Sequence, residues 1–342
     1  MALRLPASIK RLGGPVIAAG VVFGLAIYLV TALDWHEAGR VLADASWGWI
    51  AAALLLTALS YSAEAYSYAL VNRWFGIDLP VRDLLEIGMV SSTMIASVGG
   101  LAGHSVRIIL LARRNVRRSE GVAPSLFHGY LQSLAFFLFI PGGLTYLLLT
   151  HPLETRVAVA VGAATAVLGI AFAITAVVFL YGPVRTRLLA LFVAAAQRIV
   201  RIDISSSINS YEETLGRGLE SLGEKPFGMA LTIAWILADR LAQLAVLWFC
   251  LEALGIQGEV GVVVTGFAIG IAVGVMSMIP GGIGVQEGSM AGTYHLLGMP
   301  LEEAVVVAFL FRVLFQLVPL TLSMSLYWRV LRGTPPVRPE SA

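Results

Sequence analysis

Apolar residues fall in long unbroken blocks along this chain, and the blocks are spaced by short polar segments. Six blocks, about 13–33, 46–71, 122–150, 157–181, 227–254 and 303–328, are long enough to cross a bilayer, whose hydrocarbon core takes about 20 helical residues. Two further apolar stretches behave differently. Residues 84–98 end in Gly99-Gly100, and residues 260–279 end in Pro280-Gly281-Gly282. Each is followed by a second limb, 101–112 or 283–298, too polar or too short to span alone. Glycine and proline at those points favour a sharp turn, so both stretches predict helical hairpins that enter the membrane and return to the same side. The expected fold is an all-α polytopic integral membrane protein of about six transmembrane helices and two re-entrant helical hairpins.

Composition supports that class. Of 342 residues, 58% are hydrophobic and 13% charged, about half the charged share of a soluble domain. The single cysteine, Cys250, excludes a disulfide framework and a multi-cysteine metal site. A net charge of +2 gives no reason to expect nucleic acid. Arg4, Lys10 and Arg11 precede the first block as in a secretory signal, but about 20 apolar residues exceed a signal's core, so we expect a retained span.

Basic residues set the orientation. With the N-terminus in the cytoplasm and sides alternating at each full span, nineteen of the 23 Lys and Arg fall on cytoplasmic segments. Arg40 and Arg156 lie outside, and Arg240 and Arg312 lie within spans. Had 260–279 crossed fully, Arg329, Arg332 and Arg338 would lie outside. Both termini are therefore expected in the cytoplasm. Residues 182–226 form a cytoplasmic connector, its first part an interfacial amphipathic helix and its second, Ser205 to Glu224, a polar helix. Residues 1–332 make one transmembrane domain, and 333–342, with three prolines, a disordered tail.

The two hairpins occupy matching places. One unit, about 46–150, runs through Gly76-Ile77 and Gly99-Gly100; the other, about 227–328, runs through Gly255-Ile256 and Gly281-Gly282. Glu120 precedes one last span as Glu303 precedes the other, at offsets drifting from 179 to 183 residues. The units would run in opposite directions, an inverted repeat of the kind that places a substrate path near the membrane midplane.

Charge inside a span costs roughly 2.5–3.5 kcal/mol per residue on insertion scales, which singles out Glu64, Asp239, Arg240 and Arg312. Asp239 and Arg240 are neighbours, about 100° apart around a helix, so each is expected to find its partner elsewhere. Glu287 is the candidate partner for Arg312 or Arg240. The same charges would suit either an ion-pair network that locks helices or a substrate path. After each turn a helix starts inside the membrane, where its free N–H groups attract phosphate or carboxylate; Gly99, Gly100, Pro280, Gly281, Gly282 and Gly284 would shape those sites. Alternatively the glycines serve the turn alone and Glu287 caps the helix. Carbonyl oxygens at the end of each first limb leave a cation site open. Arg107, about 10 Å beyond its turn, is expected near the cytoplasmic mouth, within reach of an anionic lipid head group. The denser cluster Arg113, Arg114, Arg117 and Arg118 reads mainly as a topology signal. The five histidines lack metal-ligand spacing, no Gly-x-Ser-x-Gly nucleophile motif or phosphate-binding loop occurs, and no cofactor is implied.

The run Ser277-Met278-Ile279-Pro280-Gly281-Gly282-Ile283-Gly284-Val285-Gln286-Glu287 resembles the transmembrane domain of bacterial lysylphosphatidylglycerol synthases and their flippase-like relatives. The likeness continues through Gly298-Met299-Pro300 and Glu302-Glu303-Ala304 to Arg312. At the first hairpin the chain departs from the family pattern: Val98 replaces the proline and His104-Ser105 the acidic position, while Arg107 remains. The resemblance implies a bacterial inner-membrane protein that moves a phospholipid or other lipid-linked substrate. Its partners would be membrane lipids with an anionic head group, and a lipid-synthesis enzyme. No synthase domain follows the last span, so we expect no enzyme activity. Other readings are an ion-coupled permease for a small amphiphile, a lipid-modifying membrane enzyme with Glu287 or Asp239 as acid/base, and a scaffold for lipid synthesis.

Overall fold

A computed structural model describes residues 35–150, 181–199, 205–224, 226–277 and 279–333, with scattered helical positions between 155 and 177. The described residues are mostly helical, with short turns between the helices and no strand. In chain order the helices are α1 (Trp35–Ala43), α2 (Trp47–Trp74), α3 (Val81–Ser97), α4 (Gly100–Arg113), α5 (Arg118–Thr150), α6 (Gly182–Ile199), α7 (Ser205–Glu224), α8 (Pro226–Ala253), α9 (Val260–Met276), α10 (Val285–Leu296), α11 (Leu301–Arg312) and α12 (Val318–Gly333). A 3₁₀ turn, Pro280–Gly282, joins α9 to α10, and a π-helical segment, Val313–Leu317, joins α11 to α12.

Four of these stretches are long and apolar enough to cross a membrane: Trp47–Trp74, Arg118–Gly143, Pro226–Ala253 and Leu301–Ser325. They coincide with four of the six expected spans. The block 13–33 lies outside the described residues, and so does most of 157–181. Both hairpins form as helix pairs, α3 against α4 and α9 against α10. The connector contains two helices, α6 and α7, as read from the sequence.

The two halves agree in order and length. Helices α2 and α8 have 28 residues each, and α3 and α9 have 17 each. The 33 residues of α5 match α11, the π segment and α12, which follow one another with 12, 5 and 16. Helices α2 and α8 pack antiparallel along their length. Ser46 N–H donates to the Ala253 carbonyl at one end, and Gly228 lies against Trp74 at the other. Midway, the Ser60 hydroxyl donates to the Asp239 carboxylate, 179 residues away. Each half lends its last helix to the other: α5 packs on α9, and α12 packs on α3.

Aromatic and aliphatic residues fill the centre. The largest cluster gathers Val246, Leu247, Cys250, Phe267, Met290, Tyr294, Val307, Phe311 and Phe315 from α8 to the π segment. One detail shows how the halves are fastened. Pro319 has no N–H to give the Phe315 carbonyl four residues earlier. The Tyr61 hydroxyl from α2 donates to that carbonyl instead, at 2.9 Å, and the Tyr61 ring stacks on Phe315 with centroids 5.3 Å apart. π-helical segments within α-helices are frequent at functional sites.

Candidate functional site

The tips of the two hairpins meet in the interior. A Cβ placed on Gly281 would lie 2.1 Å from the Ser97 carbonyl oxygen, so the second turn touches the end of α3 directly. Gly281 also has φ +64°, a conformation that costs other L-residues roughly 1–2 kcal/mol. Both requirements, the left-handed backbone and the close approach, explain a glycine here. Three polar groups are buried among the helices, the first of them at this contact.

The first belongs to the second hairpin. Arg312, at the end of α11, pairs with Glu287 and donates to the Gly281 carbonyl at 2.9 Å. The other Glu287 oxygen accepts the Gly284 N–H at 2.7 Å, at the start of α10. Glu287 therefore caps the helix, and its two oxygens have partners within the chain. The carbonyl end of the turn is likewise met by a cation, but that cation is the Arg312 guanidinium. Pro280, Gly281, Gly282, Gly284, Glu287 and Arg312 thus form one closed unit, and Arg312 rather than Arg240 is the partner of Glu287.

The second group lies between α2, α5 and α8. Asp239 accepts from Ser60 of α2 and from Gln243 one turn along α8. Contrary to expectation, Arg240 also touches its neighbour, Nη1 lying 3.4 Å from Asp239 Oδ2. The hundred-degree separation holds for Cβ positions, and a guanidinium on three methylenes reaches back across it. Arg240 finds its other partners on α5: it donates to Gln132, and its Cζ lies 3.8 Å from the centre of the Phe136 ring, close enough for a cation–π attraction.

The third group is centred on Arg107 of α4, and here the sequence expectation fails. Arg107 is 0% exposed and cannot meet a head group at the mouth. It donates to Ser91 (2.8 Å) and Ser92 (3.2 Å) on α3, meets His128 Nδ1 (3.1 Å) on α5, and pairs with Glu64 of α2 (3.3 Å). The Tyr68 ring lies beneath the guanidinium at 4.4 Å. Every donor is directed inward because α3 and α4 close around the residue.

Gly99 caps the start of α4 with φ +120°, and Gly100 opens that helix beside His104. The basic cluster after α4 is tied into local ion pairs: Arg114 bridges Asp83 at 2.8 Å and Glu86 at 3.7 Å, and Arg117 pairs with Glu120. A cavity of about 310 Å³ opens at this base of the first hairpin, lined in part by Asp78, Arg114, Glu120 and Arg217. Among the described residues no cluster of histidines, cysteines and carboxylates suits a metal ion.

The sequence model of the lysylphosphatidylglycerol synthase TM region matches residues 16–323. The chain belongs to that family. No curated protein matches it. For this member of the family, then, the chain is an integral membrane protein of a lipid-related kind, and the motif from Ser277 to Glu287 forms the second hairpin tip. The residues missed in the sequence are mostly neutral: Ser60, Ser91, Ser92, His128 and Gln132. Only their depth inside apolar blocks marked them, and serine in membrane helices is too common for that to suffice.

Proposed function

We propose that this protein translocates a lipid or lipid-linked substrate with an anionic head group, acting as a flippase-like transporter and not as an enzyme. The observation that carries the reading is the meeting of two interrupted hairpins between two matched, antiparallel sets of helices, with the paired Arg312 buried at the contact. Transporters built from inverted repeats place their sites where such broken segments converge, and buried charges in a membrane are functional by default. The antiparallel packing of α2 and α8 supports inverted units whose hairpins enter from opposite faces. The basic asymmetry of the sequence supports cytoplasmic termini. A cysteine at Gly292, which has open space around it, should then react with a membrane-impermeant reagent from outside; protection there would refute the re-entrant path. Glu287 gives little support to an acid/base role, since its oxygens serve Arg312 and the start of α10.

Comparison of the halves favours function over mere fastening for the Arg107 group. At the spacing that aligns the helices, Arg107, Glu64 and His128 correspond to Met290, Gln243 and Phe311. Those residues pack in the second half without charge. The fold therefore does not need the arginine at this place. Replacing Arg107 by methionine together with Glu64 by glutamine should leave a folded protein, because an ion pair removed as a pair costs little. In vesicles, the purified double variant should lose lipid translocation by at least tenfold, measured with fluorescent lipids of several head groups and dithionite quenching. Undiminished movement of every head group would refute the proposed role.

A further inference from the structure

The matched halves can be compared contact by contact. Helices α2 and α3 correspond to α8 and α9 at 179 residues, and α4 and α5 correspond to α10 and the final helices at 183. Contacts repeat under this correspondence. Ile95 lies on Gly103 as Gln286 lies on Gly274, and Ser91 holds Arg107 where Gly270 meets Met290. Ser60 and Asp239 are counterparts of each other and touch. A local two-fold axis therefore passes between them, and each side of it can be inspected for what its counterpart does.

On one side the four residues of one contact set are joined to one another. Arg312 pairs with Glu287, and Tyr61 stacks on Phe315 and bonds its carbonyl. On the other side the counterparts of these four are Gly129, His104, Arg240 and Gln132. Their contacts have the same layout: His104 lies over Gly129, 2.8 Å from where its Cβ would be, and Arg240 meets Gln132. Their hydrogen bonding is incomplete. Arg240 Nε and Gln132 Nε2, on side chains more than nine-tenths buried, make no hydrogen bond, and neither does His104 Nδ1. Gln132 neighbours Asp239 but gives its amide hydrogens to no acceptor of good geometry. Gly129, Gln132 and Phe136 are spaced three and four residues apart, so they share one face of α5. A buried donor left unmet costs roughly 1–3 kcal/mol, more when charged. At the place where one side of the axis has the carboxylate of Glu287, the other has His104; Asp239 meets Arg240 only at Nη1, which leaves the Nε and Gln132 Nε2 donors open.

We infer that the face of α5 carrying Gly129, Gln132 and Phe136, closed by His104 and Arg240, is an anion-binding site for the phosphodiester of a lipid head group. The phosphate oxygens complete the Arg240 Nε and Gln132 Nε2 donors, as Glu287 completes Arg312 across the axis. Guanidinium and phosphate oxygens form strong charge-assisted hydrogen bonds, and Phe136 holds the guanidinium plane from behind. This assignment rests on the transport reading for the identity of its ligand as a lipid, but the anion site itself does not.

The experiment is calorimetric binding to the purified full chain in detergent, with dihexanoylphosphatidylglycerol, inorganic phosphate and a short-chain diacylglycerol as separate probes. The phosphatidylglycerol is expected to bind and the neutral lipid not. Gln132→Leu should weaken that binding at least tenfold, and so should Arg240→Lys, which keeps the charge beside Asp239 but removes Nε. Tyr61→Phe, on the satisfied side, should change it less than twofold. Size-exclusion profiles check that each variant is folded, and Gln132→Leu, which removes no charge, serves if Arg240→Lys does not fold. Equal binding by wild type and a folded Gln132→Leu would overturn the site, as would equal binding of the neutral lipid. Binding of inorganic phosphate alone, lost in Gln132→Leu, would uphold the anion site and instead refute a lipid as its occupant.

Discussion

Arg312→Leu is expected to destabilise the protein by about 3–5 kcal/mol, and so is Glu287→Leu, because each leaves the other's charge buried without its partner. Both side chains are over nine-tenths buried. Arg312 loses more than an ion pair, since it also holds the Gly281 carbonyl, and Glu287 loses the Gly284 N–H at the start of α10. The double replacement should therefore recover part of the loss but not all of it. A double-mutant cycle on detergent-solubilised protein, read by thermal unfolding, should give a coupling energy well above the few tenths found for independent sites. Strictly additive losses would show that the two residues act separately. If the double variant is folded and still moves lipid, the pair is a fastening of the second hairpin, which agrees with placing the anion site on the other side of the axis.

Gly281→Ala should do comparable damage with a single carbon. The new Cβ would sit 2.1 Å from the Ser97 oxygen, a backbone atom that no side-chain rotation can move, and the left-handed φ adds its own cost. The hairpin tips must separate for the chain to accept it. We expect loss of folded protein from the membrane as well as loss of transport. Gly292→Ala, with open space around it, should change neither. Normal yield and melting temperature for Gly281→Ala would show that the tips do not touch as described.

Much of this arrangement could be read from the residues. Blocks of twenty or more apolar residues can only be buried in lipid or in one another, which fixed the four described spans to within a few residues. The double glycines marked the hairpin tips because few other sequences interrupt an apolar helix so sharply. Depth marked Glu287 as a partner for Arg312 or Arg240, and packing decided for Arg312. What could not be read depends on packing. Arg107 stands seven residues past its turn, a distance that fits the mouth if α4 is exposed and the interior if α3 and α5 enclose it. Asp239 and Arg240 showed how a long side chain escapes the angular rule for neighbours. Ser60 gave no signal, yet it lies on the axis relating the halves and bonds Asp239. The pairing of α1 with α11 and of α7 with α5 extends each half by one helix beyond the units seen in the sequence, since short amphipathic helices have no fixed place until their neighbours are known.

Inverted-repeat transporters work by rocking one repeat against the other, so the proposed translocation predicts movement between the helices of the first unit and those of the second. The Thr93 hydroxyl of α3 and the Ser323 hydroxyl of α12 lie 2.7 Å apart across the boundary between the sets. Cysteines at both positions place two sulfurs within bonding reach, and Cys250, buried elsewhere, stays out of the reaction. In reconstituted vesicles, oxidising Thr93→Cys/Ser323→Cys should stop movement of the anionic lipid once cross-linking is complete by gel shift, and reduction should restore the rate. Full-rate movement by the completely cross-linked protein would contradict the account.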